Sequence, residues 1–215
     1  MLNRDRLYMK KTNLIRFVQS LVLLPVMSVQ LATANINSNQ ISPSLLVQKV
    51  NIEAKAKAKA IARDAESEAL RLAEANQKKA DAIDNYFASR GMPLAGTGMK
   101  MVLEAEKNGI DWRLLPAIAA RESTGGKFAC KKVTYSAFGW GSCKINFQSY
   151  DHGIEIVAKN LGGNNPKTAR YYGNKEIIEI LQAYNPPSVV PKYAEQVMSI
   201  MDTIGEADVV ELAQS

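Results

Sequence analysis

The sequence predicts an all-α fold, and three observations predict it. Apolar residues recur at i, i+3, i+4 and i+7 in several separate stretches, the spacing that gathers side chains on one helix face. Sustained period-two alternation of β-branched and aromatic residues is missing, so no strand has a core face to present. From 44 to 79 the chain is built mainly of Ala, Lys, Glu, Arg and Gln with neither Gly nor Pro, a composition of high helix propensity. The expected architecture is a long Ala/Lys/Glu-rich helix followed by a domain of five or six short helices over 81–205. A small β-hairpin between Lys131 and Phe147 is the one strand candidate.

Taken in order, residues 1–34 read as a secretory signal. Arg4, Arg6, Lys10, Lys11 and Arg16 form a positive region, 17–31 is mostly apolar, and Ala32-Thr33-Ala34 is an A-x-A cleavage site. Pro25, Gln19 and Gln30 interrupt that apolar run, which falls short of the ~20 residues a membrane span prefers. The membrane is therefore expected to matter only during export. Residues 35–80 read as a flexible leader and a helical spacer, with Ser42 as N-cap and Pro43 in the first helical position. Leu70 and Leu72 fit no sustained heptad, which favours a solvated spacer, with self-association through the 44–80 helix as the functional alternative.

Ile83, Tyr86 and Phe87 mark entry to the domain, and Arg90-Gly91-Met92-Pro93 breaks the helix. Met99, Val102, Leu103 and Glu106 give the next stripe, stopped by Gly109. Asp111 is the expected N-cap of a helix whose face carries Leu115, Ile118, Ala119 and Glu122. Ser149 should cap a helix with Ile154, Val157, Ala158 and Leu161 inward, after which 164–172 reads as a surface connection. Ile177, Leu181 and Tyr184 form another stripe, ended by Asn185-Pro186-Pro187. Pro191 opens a last helix with Tyr193, Val197, Ile200, Met201 and Ile204 inward, Gly205 as terminator and 206–215 as a frayed tail.

The chain's 215 residues, 47% hydrophobic and 22% charged, exclude a disordered polymer and fit one domain plus an extension. A net charge of +6 favours anionic partners such as acidic lipid or wall polymer. Basic residues are interspersed with acids and no nucleic-acid-binding motif is present, so nucleic acid is not an expected partner. With one His and two Cys the chain has too few soft ligands for a closed zinc site; no metal and no cofactor is expected. In an exported chain Cys130 and Cys143 would close a disulfide round the intervening loop, contributing about 3 kcal/mol by chain entropy; in a reducing cytosol they would be free thiols.

The candidate chemistry centres on Glu122. A carboxyl at the lip of an apolar face loses hydration, which disfavours the anion and suits a proton donor. The competing reading is a surface acid paired with Arg121 or Lys127. Ser123-Thr124-Gly125-Gly126-Lys127 should end the helix at once and leave the acid at a loop mouth. Phe138-Gly139-Trp140-Gly141 supplies aromatics that could stack on a flat ligand, with Gly139 permitting close approach; plain packing is the alternative for Trp140. Ser123 reads as orienting Glu122 in place of acting as a nucleophile, and His152 as surface.

Four segments in order, Glu122-Ser123 with Gly126-Lys127, Ala137-Phe138-Gly139, Phe147-Gln148-Ser149-Tyr150, and Tyr193-Ala194-Glu195-Gln196-Val197, resemble the endo-β-N-acetylglucosaminidase branch of the lysozyme-like superfamily. The resemblance spans 81–205. It implies a secreted or periplasmic enzyme cutting the N-acetylated glycan of peptidoglycan, with Glu122 as acid and Tyr184 and Tyr193 as cleft tyrosines. Glu122-Ser123 and Tyr184-Asn185 are also similar to lytic transglycosylases, although the Gly-Leu-Met-Gln segment of those enzymes is absent. A non-catalytic wall-binding module is the rival from another class. Glycosidases usually employ two carboxylates; Asp111, Asp151 and Glu155 are the candidates for the second, unless the substrate's N-acetyl group takes that part.

Overall fold

A computed structural model describes residues 43–212 of the chain, with side chains described over 47–206. The signal expected at 1–34 and the leader expected before Pro43 lie outside the described residues. Seven helices account for the regular structure, and no strand is present among the described residues, so the fold is all-α and the hairpin expected between Lys131 and Phe147 does not form. In its place Thr134 closes the loop: its N–H donates to Asn146 Oδ1 at 3.0 Å, its hydroxyl to the Phe147 carbonyl at 2.8 Å. No described helix is long and apolar enough to cross a membrane.

Contacts divide the chain into two units, Met1–Lys55 and Ala56–Ser215. In the first, the described side chains from Val47 onward are exposed. The second holds the core. Helix α1 (Pro43–Ala88) begins at the proline the sequence singles out, and its last turns seat Ala80, Ile83 and Phe87 in that core. Burial starts at Asn76, a turn and a half before the expected entry, because Asn76 reaches Glu106 with its amide (3.2 Å).

Helix α2 (Gly98–Asn108) is capped by a residue of α1: Asp84 Oδ1 accepts the N–H groups of Gly96 (2.8 Å) and Gly98 (2.9 Å), satisfying donors that the helix start leaves unpaired. Its inward face differs from the expected one. Met101, Val102 and Ala105 are buried, while Leu103 and Glu106 are exposed. Gly98 sets the rotation, since a Cβ there would stand 2.2 Å from the Ala80 carbonyl; a close approach through a small residue outranks side-chain bulk.

Helix α3 (Leu114–Ser123) packs against α7 (Tyr193–Leu212), α2 against α4 (Tyr150–Leu161), and α5 (Ala169–Tyr172) and α6 (Ile177–Tyr184) bridge α4 to α7. Leu115, Ile118 and Ala119 of α3 and Ile154, Val157, Ala158 and Leu161 of α4 are fully buried, as their spacing predicts. Asp111 does not cap α3 directly. Its carboxylate accepts Arg113 N–H at 2.8 Å and takes the guanidinium at 3.0 and 2.8 Å, making a turn from which the helix starts three residues on. Ser149 caps α4 as expected, accepting His152 N–H at 3.1 Å. The connection after α4 is partly helical, through α5. The last helix starts at Tyr193, two residues after Pro191, and runs through Gly205 to Leu212, so neither the glycine nor the tail ends it there. Val197, Met201 and Ile204 point inward from it.

Candidate active site

Glu122 stands in the last turn of α3, on the same stripe as the buried Leu115, Ile118 and Ala119. The helix stops one residue later because Thr124 adopts a left-handed conformation (φ 52°), its N–H returning to the Ala120 carbonyl and that of Gly125 to the Ala119 carbonyl. The acid is thereby left half-buried where helix gives way to loop.

Two elements distant in sequence meet it there. From α7, the Tyr193 hydroxyl donates to Glu122 Oε1 at 2.6 Å. From the loop, Gly139 (φ 61°) lies against the other oxygen: a Cβ at this position would sit 2.7 Å from Oε2. Only a residue without a side chain combines that backbone angle with that clearance. Among the described residues Glu122 joins no ion pair, and Oε2 accepts no hydrogen bond. The pairing with Arg121 or Lys127 does not form. Arg121 instead donates from Nε to Gln196 Oε1 (2.8 Å) and lies 5.9 Å from the Tyr193 ring.

The loop is tied down from three sides. Ser123, almost fully buried, donates from Oγ to the Ala137 carbonyl (2.5 Å) and accepts Gly126 N–H (2.8 Å), so one hydroxyl joins the helix end, the glycine turn and the loop. The Tyr184 hydroxyl donates to the Phe138 carbonyl. Cys130 and Cys143 are disulfide-bonded around the segment, their Cα atoms 5.9 Å apart.

Several expected ligand-facing residues therefore hold the scaffold. Phe138 is completely buried, so its ring cannot stack on a sugar; what it offers the site is a carbonyl that anchors Tyr184. Ser123 orients Glu122 through the backbone, with no direct bond between the two. Tyr193 is buried behind the acid, and Tyr184 stacks on it with rings 6.1 Å apart and nearly parallel. Trp140 remains half-buried, tilted against Tyr184 (5.6 Å) and Tyr172 (6.0 Å), and is the aromatic of the turn with an open portion.

Burial pushes the Tyr193 hydroxyl far above the ordinary phenol value, and its bond to the Glu122 carboxylate and that group's charge raise it further. Tyr184 is pushed up by burial and then by the same charge. Both phenols are thus neutral donors at any physiological pH. Of the candidate second acids, Asp111 is committed to Arg113; burial raises its carboxyl, but the Arg113 hydrogen bonds and charge outweigh that and hold it low. Asp151 and Glu155 are exposed on α4, where their charge acts on Lys100. His152 uses Nδ1 to accept Gln148 N–H (3.2 Å) and packs edge-on against Phe147, a local role at the start of α4. Among the described residues no group of three His, Cys, Asp or Glu side chains is placed to hold a metal ion.

The main-chain anchors at Ala137 and Phe138 were not readable in advance, since a carbonyl acceptor carries no sequence signature. The direct Tyr193–Glu122 bond had a weak one, in that both residues sit on apolar stripes where a polar tip needs a partner. Comparison of the chain with protein-family models, with curated proteins and with solved structures finds no match.

Proposed function

We propose that this chain is an exported glycosidase that cleaves the N-acetylated glycan of peptidoglycan, with Glu122 as the general acid. The observation that carries the reading is the asymmetry of its carboxyl: one oxygen is held by a neutral phenol at 2.6 Å, and the other accepts no hydrogen bond among the described residues and lies against Gly139. Such a carboxyl is held in one orientation by a single hydrogen bond and joins no ion pair among the described residues, the arrangement that positions an acid toward a leaving oxygen. The order of motifs shared with the glucosaminidase branch, and the half-buried Trp140 as a sugar platform, support the substrate class. The disulfide is compatible with export to the cell envelope.

One observation favours a particular route. Asp111 is tied to Arg113, and Asp151 and Glu155 are exposed where they act on Lys100, so none of the three is a partner for Glu122. This supports participation of the substrate's own N-acetyl group, ending in hydrolysis or, if the sugar's 6-hydroxyl attacks, in the anhydro product of a lytic transglycosylase.

The test is clearing of purified cell wall by the parent chain and by Glu122→Gln, with mass analysis of the ends released. Loss of clearing by roughly 10²- to 10⁴-fold with wall binding retained is the expected result. Reducing ends identify the hydrolase and anhydro ends the transglycosylase. A parent chain that binds wall and releases no saccharide refutes the enzyme and leaves a non-catalytic wall-binding module.

A further inference from the structure

The stripe by which α1 enters the core does not stop where the core stops. Asn76, Ala80, Ile83 and Phe87 are its buried members, spaced four, three and four residues apart. The same spacing runs back along the sequence through Ala65, Ala69 and Leu72, then Ala54, Ala58 and Ile61, then Val47 and Val50. The period is eleven, not seven, which is why no heptad is found. Val50, Ile61 and Leu72 are each in phase with the fully buried Ile83, yet are 62%, 57% and 49% exposed. A solvated spacer has no need of a large aliphatic every eleven residues; Ile52 and Leu70 are off the stripe and follow no period. Eleven residues over three turns is 3.67 per turn, so the stripe stays straight on a helix wound slightly to the right, the geometry of a right-handed coil.

We propose that this face binds a second copy of the chain, antiparallel, about a two-fold axis at Ile61. The charge pattern selects the occupant. Before the axis, Lys49, Lys55, Lys57 and Lys59 make the first half basic against one acid, Glu53; after it, Asp64, Glu66, Glu68 and Glu74 make the second half acidic against Arg63 and Arg71. Parallel copies would set like charges side by side. Antiparallel copies centred on Ile61 bring Val50 to the partner's Leu72, Ala54 to the partner's Ala69, and Ala58 to the partner's Ala65. Lys57 and Glu68 share one edge of the stripe and Lys55 and Glu66 the other, so each lysine meets a glutamate of opposite sign: Lys57 the partner's Glu68, Lys55 the partner's Glu66. The alanines let the two backbones approach closely along a seam of about 40 Å. This association is independent of the glycosidase reading.

Sedimentation equilibrium of the full chain is expected to give twice the 23.6 kDa of the monomer. Ile61→Lys, which sets two ammonium groups against each other on the axis, should weaken association roughly a hundredfold. At concentrations where both chains are monomeric its thermal unfolding should match the parent's, because Ile61 is exposed in the monomer. Val50→Cys mixed with Leu72→Cys should form a crossed disulfide, and Val50→Cys alone should form none with itself. Lys55→Glu with Lys57→Glu should dissociate the pair, and adding Glu66→Lys with Glu68→Lys should restore it. A monomer at every concentration overturns the proposal, as does self-linking of Val50→Cys, or association that appears only when an anionic polymer or vesicle is added.

Discussion

Gly139→Ala separates the part of the site that holds the fold from the part that does chemistry. The substitution has two costs. An alanine at φ 61° is in the left-handed region, at about 1–2 kcal/mol, which for a unit of this size lowers Tm by on the order of 2–8 °C. The new Cβ would also stand 2.7 Å from Glu122 Oε2, which is nearer than carbon and oxygen approach without bonding. The neighbour that yields is the tip of a flexible side chain, so the core is spared and the carboxylate swings away, breaking its 2.6 Å bond to Tyr193. A reacting group displaced by about 1 Å loses roughly a hundredfold in rate. Gly141→Ala is the control: its φ of 68° imposes the same backbone strain, but its Cβ meets the exposed Ile145, 2.5 Å from Cδ1. Cell-wall clearing and thermal melts of both variants read the two effects apart. Similar melting losses with clearing lost in Gly139→Ala alone are expected. Equal clearing by the two variants would refute the reasoning, whatever their stabilities.

Three further outcomes follow from the structure. Tyr184 and Tyr193 hold their protons more tightly folded than unfolded, so the folded state binds more protons above the ordinary phenol value near 10, and stability falls as pH rises past it; absorbance at 295 nm should show both phenols ionising only with alkaline unfolding, and Tyr193→Phe should remove part of that pH dependence. Asp111 and Glu104 have carboxyls held below their ordinary values, in each case by basic partners that outweigh the effect of burial, so their contribution is present above about pH 4.5 and is lost on acidification; Asp111→Ala should destabilise in urea melts at pH 7, by an amount that shrinks as the pH is lowered through and below the ordinary carboxylate range. Gly98→Ala places a Cβ 2.2 Å from the Ala80 carbonyl, a backbone atom that cannot rotate away, and should destabilise by about 3 kcal/mol or more; a wild-type melt would mean that α1 and α2 are not in contact there.

The sequence showed its helices wherever apolar bulk and periodicity agreed. In α4 the stripe of Ile154, Val157, Ala158 and Leu161 is the buried face, and Ser149 is the cap. In α2 the two diverged. Leu103 reads as core by its size, but the helix turns to bring Gly98 onto the α1 backbone, and a contact made by the absence of a side chain cannot be weighed by hydrophobicity. Helix ends were legible when a glycine or proline coincided with tertiary need, as at Gly109, and illegible at Gly205, which α7 runs through. At the site, Glu122 and the turn around Gly139 were visible as residue types. Phe138 was misassigned because an aromatic beside glycines is equally suited to a sugar face and to a core, and only its burial decides. The Tyr193–Glu122 bond joins residues 71 apart, a distance over which spacing carries no information.

The loop that carries Gly139 and Trp140 is gripped by its carbonyls at Ala137 and Phe138, which Ser123 and Tyr184 hold. Every amino acid presents the same carbonyl, so this grip does not depend on the side chains at 137 and 138, whereas Gly139 after them is fixed by its backbone angle and by its clearance from Glu122. Trp140 touches this tether at one point only, through its ring against Tyr184, while the Ser123 bond to Ala137 is made without it. The position of the Glu122 carboxyl is thus set by two anchors from different parts of the chain, one of which a change at residue 140 would leave in place.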